Sequence, residues 1–238
     1  MNKDKDKDKD KDKEKEKEKE IGTEIQNETE LKAELKSISE PALRRLPLYH
    51  QYLKKAHSQG VKEISSTRIA EELNLTSILV RKDIAYTSIQ GKPKTGYSVE
   101  SLILAIEEFL GWKNNNEALL VGAGNLGIAL LGYKGFKDYG LSIVAAFDTD
   151  EKKIGETIYG KKVMSIEKFE NITKRLKIRI GIITVPAEFA QEVADLMVKS
   201  GIKAIWNFSP VKVSVPDDVK VQHVNLASSI ALLLRSIE

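Results

Sequence analysis

The sequence predicts an α/β protein of two folded parts, an N-terminal winged-helix domain followed by a Rossmann-type parallel sheet. Three observations predict it. Short helices separated by tight turns run from Pro41 to Val99, and strands alternate with helices from Ala118 onward. Between the first strand and first helix of that alternation stands the glycine-rich turn "VGAGNLG", Val121 to Gly127.

Length and composition set the bounds. The 238 residues, 41% of them hydrophobic, suffice for two modest cores. Cysteine is absent, which excludes disulfides, thiolate nucleophiles and cysteine-ligated metal sites. No apolar run reaches the ~18 residues of a membrane span, and the amino terminus does not read as a signal peptide. A cytoplasmic chain with no membrane partner is expected. The net charge of +3 is unevenly spread. Residues 1–40 carry 11 Lys/Arg against 14 Asp/Glu, residues 41–99 carry 10 against 4, and residues 100–238 carry 17 against 17. The basic excess of +6 therefore belongs to the middle segment, where it points to a polyanionic partner.

The elements follow in order. Residues 1–40 begin with nine lysines alternating with nine acids and nothing apolar from Asn2 to Glu20, a composition that predicts disorder. Its balanced charges give it no sign with which to attract DNA. Ile21 to Lys36 read as a weakly amphipathic helix. In residues 41–99, "PALRRLPLYHQYLKKAHSQG" predicts a helix with Leu43, Leu46, Tyr49, Leu53 and Ala56 on one stripe, stopped at Gly60 and broken at Pro47. "SSTRIAEELN" predicts a short helix capped by Ser65 or Ser66 and ended by Asn74. "LTSILVRKDIAY" predicts a second helix capped by Thr76, with Val80 and Ile84 inward and Arg81 and Lys82 outward. That is the layout of a helix-turn-helix. "SIQGKPKTGYSV" suits a hairpin wing.

Residues 100–116 are expected to connect the parts, through an apolar helix capped by Ser98 and ended by Gly111 and a turn at Asn114–Asn116. Within residues 117–224, strands are expected at 118–121, 141–147, 163–164, 179–185, 204–206 and 219–224, with helices at 125–133, 165–175 and 188–200. A final apolar helix occupies residues 225–238.

The glycine turn carries the strongest chemical signal. Gly122 permits the tight turn, Gly124 lets backbone approach a pyrophosphate, and Gly127 lets helix and strand pack closely. Asp148 ends the second strand 21 residues past Gly127, where its carboxylate suits the ribose hydroxyls of a bound NAD(H). Asp150 and Glu151 would repel the 2′-phosphate of NADP(H), while Lys152 and Lys153 weaken that repulsion. Catalytic groups are scarce. His50 and His57 lie on the first basic helix, remote in sequence from the glycines, and His223 reads as an ordinary surface or packed imidazole. No catalytic motif is present.

In order along the chain, "RRLPLY", "SSTRIAEEL", "VRKDIAY", "GYSV", "VGAGNLG", "AFD", "TVPAEFAQ", "GIKAIWNFSP" and "VNLA" resemble the Rex family of redox-sensing transcriptional repressors, over about residues 41–238. The resemblance implies a homodimer that binds inverted-repeat operator DNA, releases it when NADH binds, and exchanges its carboxy-terminal helix between subunits as a swapped element. It implies a cofactor site of Gly122, Ala123, Gly124, Asn125, Leu126, Gly127, Tyr133, Asp148, Thr184, Val185, Pro186, Asn207, Phe208, Ser209 and Leu226. Tyr133 would lie near the nicotinamide. DNA contacts are implied for Arg45, Ser65, Ser66, Ser77, Arg81, Lys82, Tyr86, Lys92 and Lys94.

Two departures bear on the implied switch, which involves Gln51, Tyr133 and Asn225. The family typically has an arginine and an aspartate at the first and last of these, paired between subunits, whereas both are neutral amides here. A Gln51–Asn225 hydrogen bond is expected in their place, because losing both charges costs less than stranding one. Thr87-Ser88 and Pro93-Lys94 also replace positions where the family is often glycine-rich. Two other functions compete: an NAD-dependent oxidoreductase with a basic accessory domain, and a scaffold that uses its nucleotide fold for packing alone.

Overall fold

The computed structural model describes residues 38–237. The expected amino-terminal disorder and the helix at Ile21–Lys36 lie outside them. The chain divides into two compact units, the first ending at Phe109 and the second beginning at Leu110.

In the first unit, α1 (Glu40–Ser58) opens on Ser39, whose hydroxyl accepts from the Ala42 N–H, with Pro41 in the first turn. The break expected at Pro47 does not occur; α1 runs through it. An interior proline costs about 3 kcal/mol, and the buried Leu46, Tyr49, Leu53 and Ala56 on one continuous face outweigh that cost. Strand β1 (Glu63–Ile64) follows, then α2 (Ser66–Glu72), capped by Ser65, and α3 (Ser77–Ala85), capped by Thr76. Asn74 between the two helices takes the left-handed φ of 52° that ends a helix. Val80 and Ile84 are fully buried.

The expected hairpin is smaller than a full wing. It is a single bridge between Lys92 and Gly96, and β2 (Tyr97–Ser98) pairs antiparallel with β1 rather than with a neighbouring strand. Ser88 and Lys94, standing where glycine is common in the family it resembles, hold φ of 57° and 71°, a conformation that costs a side chain more than it costs glycine. Helix α4 (Val99–Phe109) closes the unit by burying Val99, Leu102, Ile103 and Ile106.

The second unit is a seven-stranded sheet in the order β5-β6-β4-β3-β7-β8-β9, parallel except at β5. Its strands are β3 (Asn116–Val121), β4 (Leu141–Asp148), β5 (Thr157–Ile158), β6 (Lys161–Ser165), β7 (Ile180–Ile183), β8 (Ala204–Asn207) and β9 (Lys220–His223). Helices α5 (Asn125–Gly132), α6 (Phe169–Leu176) and α7 (Ala190–Lys199) alternate with them. Alternation along β3 divides the core: Leu119 and Val121 join Phe147, Phe169 and Met197 on one side, and Ala118 and Leu120 join Leu131 and Ile182 on the other. An irregularity of register in β4, at Val144, lets Ile143 and Ala146 face the same side.

Boundaries differ from expectation by a few residues, and the helices expected at 165 and 188 begin as 3-10 turns. Strand β5 is unforeseen: Tyr159 and Gly160, with φ of 50° and 75°, make a two-residue hairpin turn from a pair that is not a usual turn signal. Helix α8 (Leu226–Arg235), capped by Asn225, buries none of its residues in this chain.

A buried cluster fixes the second helix of the helix-turn-helix. Arg45 on α1 donates to both carboxylate oxygens of Asp83 on α3, at 2.6 and 2.9 Å, and the Tyr49 hydroxyl donates to the same carboxylate at 2.6 Å. Asp83 is 2% exposed. Burial, and then the Asp83 carboxylate, push the Tyr49 phenol above its ordinary pKa, so it stays a donor. Asp83→Asn, which strands the guanidinium, is expected to destabilise the first unit by about 3 kcal/mol. Tyr49→Phe, which removes one hydrogen bond, is expected to cost about 1 kcal/mol. Calorimetry checks the ranking, and equal losses would contradict it.

Candidate dinucleotide pocket and nucleic-acid face

Strand β3 carries the chain into the glycine turn beside the residue that follows β7. Gly122 has φ of 103°, and a Cβ on it would lie 2.8 Å from the Thr184 carbonyl. A Cβ on Gly127, in the first turn of α5, would run into the Gly122 carbonyl oxygen. The Thr184 hydroxyl lies 2.7 Å from that oxygen and 3.0 Å from the Val121 carbonyl, tying the turn to the end of β7. Gly124 is different: a Cβ there would meet nothing beyond its chain neighbours within 4 Å, and Gly124 is among the residues that line a cavity. Gly124 also caps α5 without a side-chain acceptor, so no side chain competes for the first-turn amides. Such a cradle suits a pyrophosphate.

Asp148, at the end of β4, accepts from the Ala123 N–H at 2.8 Å and from the Asp150 N–H at 2.9 Å, with Lys153 Nζ at 3.4 Å. Burial opposes its ionisation, but the two backbone donors and the Lys153 ammonium outweigh burial and hold its carboxyl below the usual range. Beside it opens a cavity of about 690 Å³, with Ile166, Val185, Phe189 and Leu196 as an apolar wall for a flat heterocycle. Glu167, Glu170 and Glu192 add carboxylates to its lining. Lys153, the one cation among the described residues that line it, lies within 3.6 Å of Asp148 and Asp150 and is neutralised by them. Glu170 is itself paired with Lys174 at 2.6 Å and Lys199 at 3.3 Å, so opposition to an extra phosphate on the adenosine ribose comes from Glu167 and Glu192, and the weakening expected from Lys152 and Lys153 is cancelled for Lys153.

The structure separates the residues expected at this site. Gly122, Gly124, Asp148, Thr184, Val185 and Pro186 line the cavity. Gly127 acts in packing, and Asn125 and Leu126 stand exposed at the start of α5. Tyr133 is 52% exposed and begins a run of edge-on and tilted rings through Phe136 and Trp206 to Phe208. Ser209 is buried, its hydroxyl without a hydrogen-bond partner among the described residues. Leu226 is exposed on α8.

Two residues expected at the cofactor site bond within the chain. The Ala123 N–H donates to Asp148. The fully buried Asn207 side chain donates to the Val211 carbonyl, lies 3.1 Å from His223 Nδ1 and accepts from the Ser209 N–H. It shapes the loop after β8, and its Oδ1 keeps a second lone pair. Ile166, Phe189 and Leu196 escaped sequence reasoning because three separate elements supply them; only Phe189, three residues past Pro186, carried a local signal.

On the first unit, Arg81, Lys82, Lys92 and Lys94 are exposed. Ser66, Ser77 and Tyr86 are half-buried, and the Ser65 hydroxyl caps α2 by accepting from the Arg68 N–H. Arg45, also expected to hold the DNA backbone, donates to the Asp83 carboxylate from Nε and one terminal nitrogen and so positions α3.

Asp148→Asn would leave one acceptor oxygen for two backbone donors. A loss of about 1–3 kcal/mol in the stability of the second unit is expected at neutral pH. Because the folded carboxyl ionises below the unfolded value, its contribution is complete above that value, near pH 4, and fades as the pH falls through the folded one. Denaturation of wild type and variant across pH checks this; a gap that persists or widens in acid would contradict it.

Comparison with known proteins places both units. Residues 113–211 match a family model described as "CoA binding domain", and residues 37–85 match one described as "Putative DNA-binding protein N-terminus". The redox-sensing transcriptional repressor Rex of Treponema denticola is 51% identical over 201 residues, 84% of this chain and 96% of that protein. The Rex repressor of Bacteroides fragilis is 38% identical over 90% of this chain and 96% of its own length. Among solved structures, that of RSP in complex with β-NAD⁺ and operator DNA superposes with a TM-score of 0.81 at 36% identity, covering 84% of this chain and 92% of that one. RSP, a Rex-family repressor, has also been solved with β-NADH, at a TM-score of 0.77, covering 84% and 94% of the two chains. With two units so arranged in sequence and relatives this similar over most of its length, the chain belongs to the Rex family of redox-sensing transcriptional repressors.

Proposed function

We propose that this chain represses transcription as a cytoplasmic homodimer that holds inverted-repeat operator DNA and lets it go when NADH binds. The observation that carries the reading is the open space at Gly124 beside an acid-rimmed apolar cavity. The glycine turn and the first amides of α5, from Asn125 and Leu126, would hold the pyrophosphate; Asp148 would accept from the adenosine ribose; Ile166, Val185 and Phe189 would flank the adenine. Tyr133, Pro186, Phe208, Ser209 and Leu226 would surround the nicotinamide end. RSP was solved with β-NAD⁺ on operator DNA and with β-NADH, which supports a site taking both forms. The two differ by a positive charge on the nicotinamide ring, and an apolar surround penalises the charged ring by desolvation.

On the DNA side, Arg81 and Lys82 on α3 would enter the major groove, with Ser77 and Tyr86 beside them. Lys92 and Lys94 on the turn and Ser65 and Ser66 at α2 would hold the backbone. Domain roles follow: residues 41–99 bind DNA, 100–116 connect, 117–224 bind the dinucleotide, and 225–238 dimerise. The exposed Ile230, Leu233 and Leu234 of α8 support the last assignment, because burying each side chain against a second copy contributes about 1.5–3 kcal/mol. No described helix is long and apolar enough to cross a membrane. The Asn225 carbonyl oxygen caps α8 by accepting from the Ser228 N–H at 3.0 Å, which leaves its amide to donate to Gln51 of the partner subunit. The family is one of repressors, so the dinucleotide is a signal here and not a substrate.

A gel-shift titration on a bound duplex tests this. NADH should weaken binding at least tenfold without being oxidised, and NAD⁺ should not. Equal effects of the two forms, or consumption of NADH, would contradict it. Release in the Gln51→Arg/Asn225→Asp double variant should become more salt-dependent.

A further inference from the structure

We infer that Ile78 reads thymine: its side chain packs on the 5-methyl group of a base in the major groove and helps set which operator the repressor accepts. The inference rests on the proposed DNA-binding role of α3 and adds a residue to it. Helix α3 has two faces. Val80, Asp83 and Ile84 are buried, and Asp83 is fastened to Arg45 and Tyr49, so the rotation of the helix about its axis is fixed. At 100° per residue the opposite face carries Ile78, Arg81, Lys82 and Ala85, and all four are exposed.

Within that stripe Ile78 is the anomaly. It is 59% exposed, branched at Cβ, and the only large apolar side chain among cations. An isolated exposed isoleucine elsewhere would need no explanation. Here it stands in the first turn of the helix, one position after Ser77, on the side that also presents Arg81 and Lys82. A helix docked by those cations brings its first turn closest to the base edges.

The chemistry of the groove then selects the target. Arginine and lysine suit guanine acceptors and phosphates, and the one apolar feature a base offers in the major groove is the thymine methyl. A β-branched side chain with few accessible rotamers meets that methyl with little loss of side-chain entropy. Ala85, one helical turn beyond Arg81 and without bulk, leaves the stripe free to approach.

The test uses the full chain and duplexes recovered by selection from a randomised library. Each thymine in a recovered duplex is replaced in turn by deoxyuridine, which removes only the methyl group. For wild type, one thymine per half-site should lose about fourfold in affinity per methyl. Ile78→Ala should lose affinity on the thymine duplex and become indifferent to that replacement, whereas Ile78→Val should retain most of it. Uracil effects that are absent, or that are the same in wild type and Ile78→Ala, would overturn the inference and leave the DNA-binding reading intact. Recovery of no duplex by the wild-type chain would instead overturn that reading. Because Ile78 is outside the core, circular dichroism of the variants should match wild type, and the comparison does not depend on a damaged fold.

Discussion

The second unit depends on one close approach of backbone to backbone. At the end of β3 the chain turns at Gly122, passes within contact of Thr184, and doubles into α5 so tightly that Gly127 has no room for a Cβ against the Gly122 carbonyl. The Thr184 hydroxyl and the Asp148 carboxylate pin the turn from two neighbouring strands. The anion cradle at Gly124, the position of Asp148 and the mouth of the cavity all follow from that geometry.

The first unit has an analogous constraint of a different kind. A buried ion pair is an expensive way to fasten two helices, and an apolar pair of similar volume would hold them as well. What Arg45, Asp83 and Tyr49 add is direction: three short hydrogen bonds permit one rotation of α3, and rotation decides which side chains face outward. Presenting Arg81 and Lys82 as a pair is thus a consequence of Asp83, the residue between them and the core.

Much of this was legible in the sequence because it is local. The glycine spacing, the caps at Ser65 and Thr76, the outward Arg81 and Lys82 and the position of Asp148 each depend on neighbours within a turn or one strand–helix unit. The Arg45–Asp83 pair gave no signal because its partners lie 38 residues apart, and a surface cation and a buried one look alike in a charge count. The bonds of Asn207 to Val211 and His223 were hidden for a similar reason: they come from the fold of the loop after β8. The apolar wall of the cavity gave no signal as a set, since Ile166, Phe189 and Leu196 are ordinary core-type residues until β6, β7 and α7 bring them together. Pro47 misled because the penalty of an interior proline is visible in sequence and the burial that exceeds it is not.

A repressor that releases DNA on binding NADH must couple its dinucleotide pocket to its DNA face. Coupling free energy is reciprocal, so whatever NADH does to DNA affinity, DNA must do to NADH affinity by the same factor. The direct measurement is the affinity of the chain for NADH by calorimetry, alone and saturated with a duplex it binds, with NAD⁺ as the companion ligand. The duplex should weaken NADH binding by the factor by which NADH weakens duplex binding, and leave NAD⁺ binding nearly unchanged. An NADH affinity that is the same with and without the duplex would contradict it.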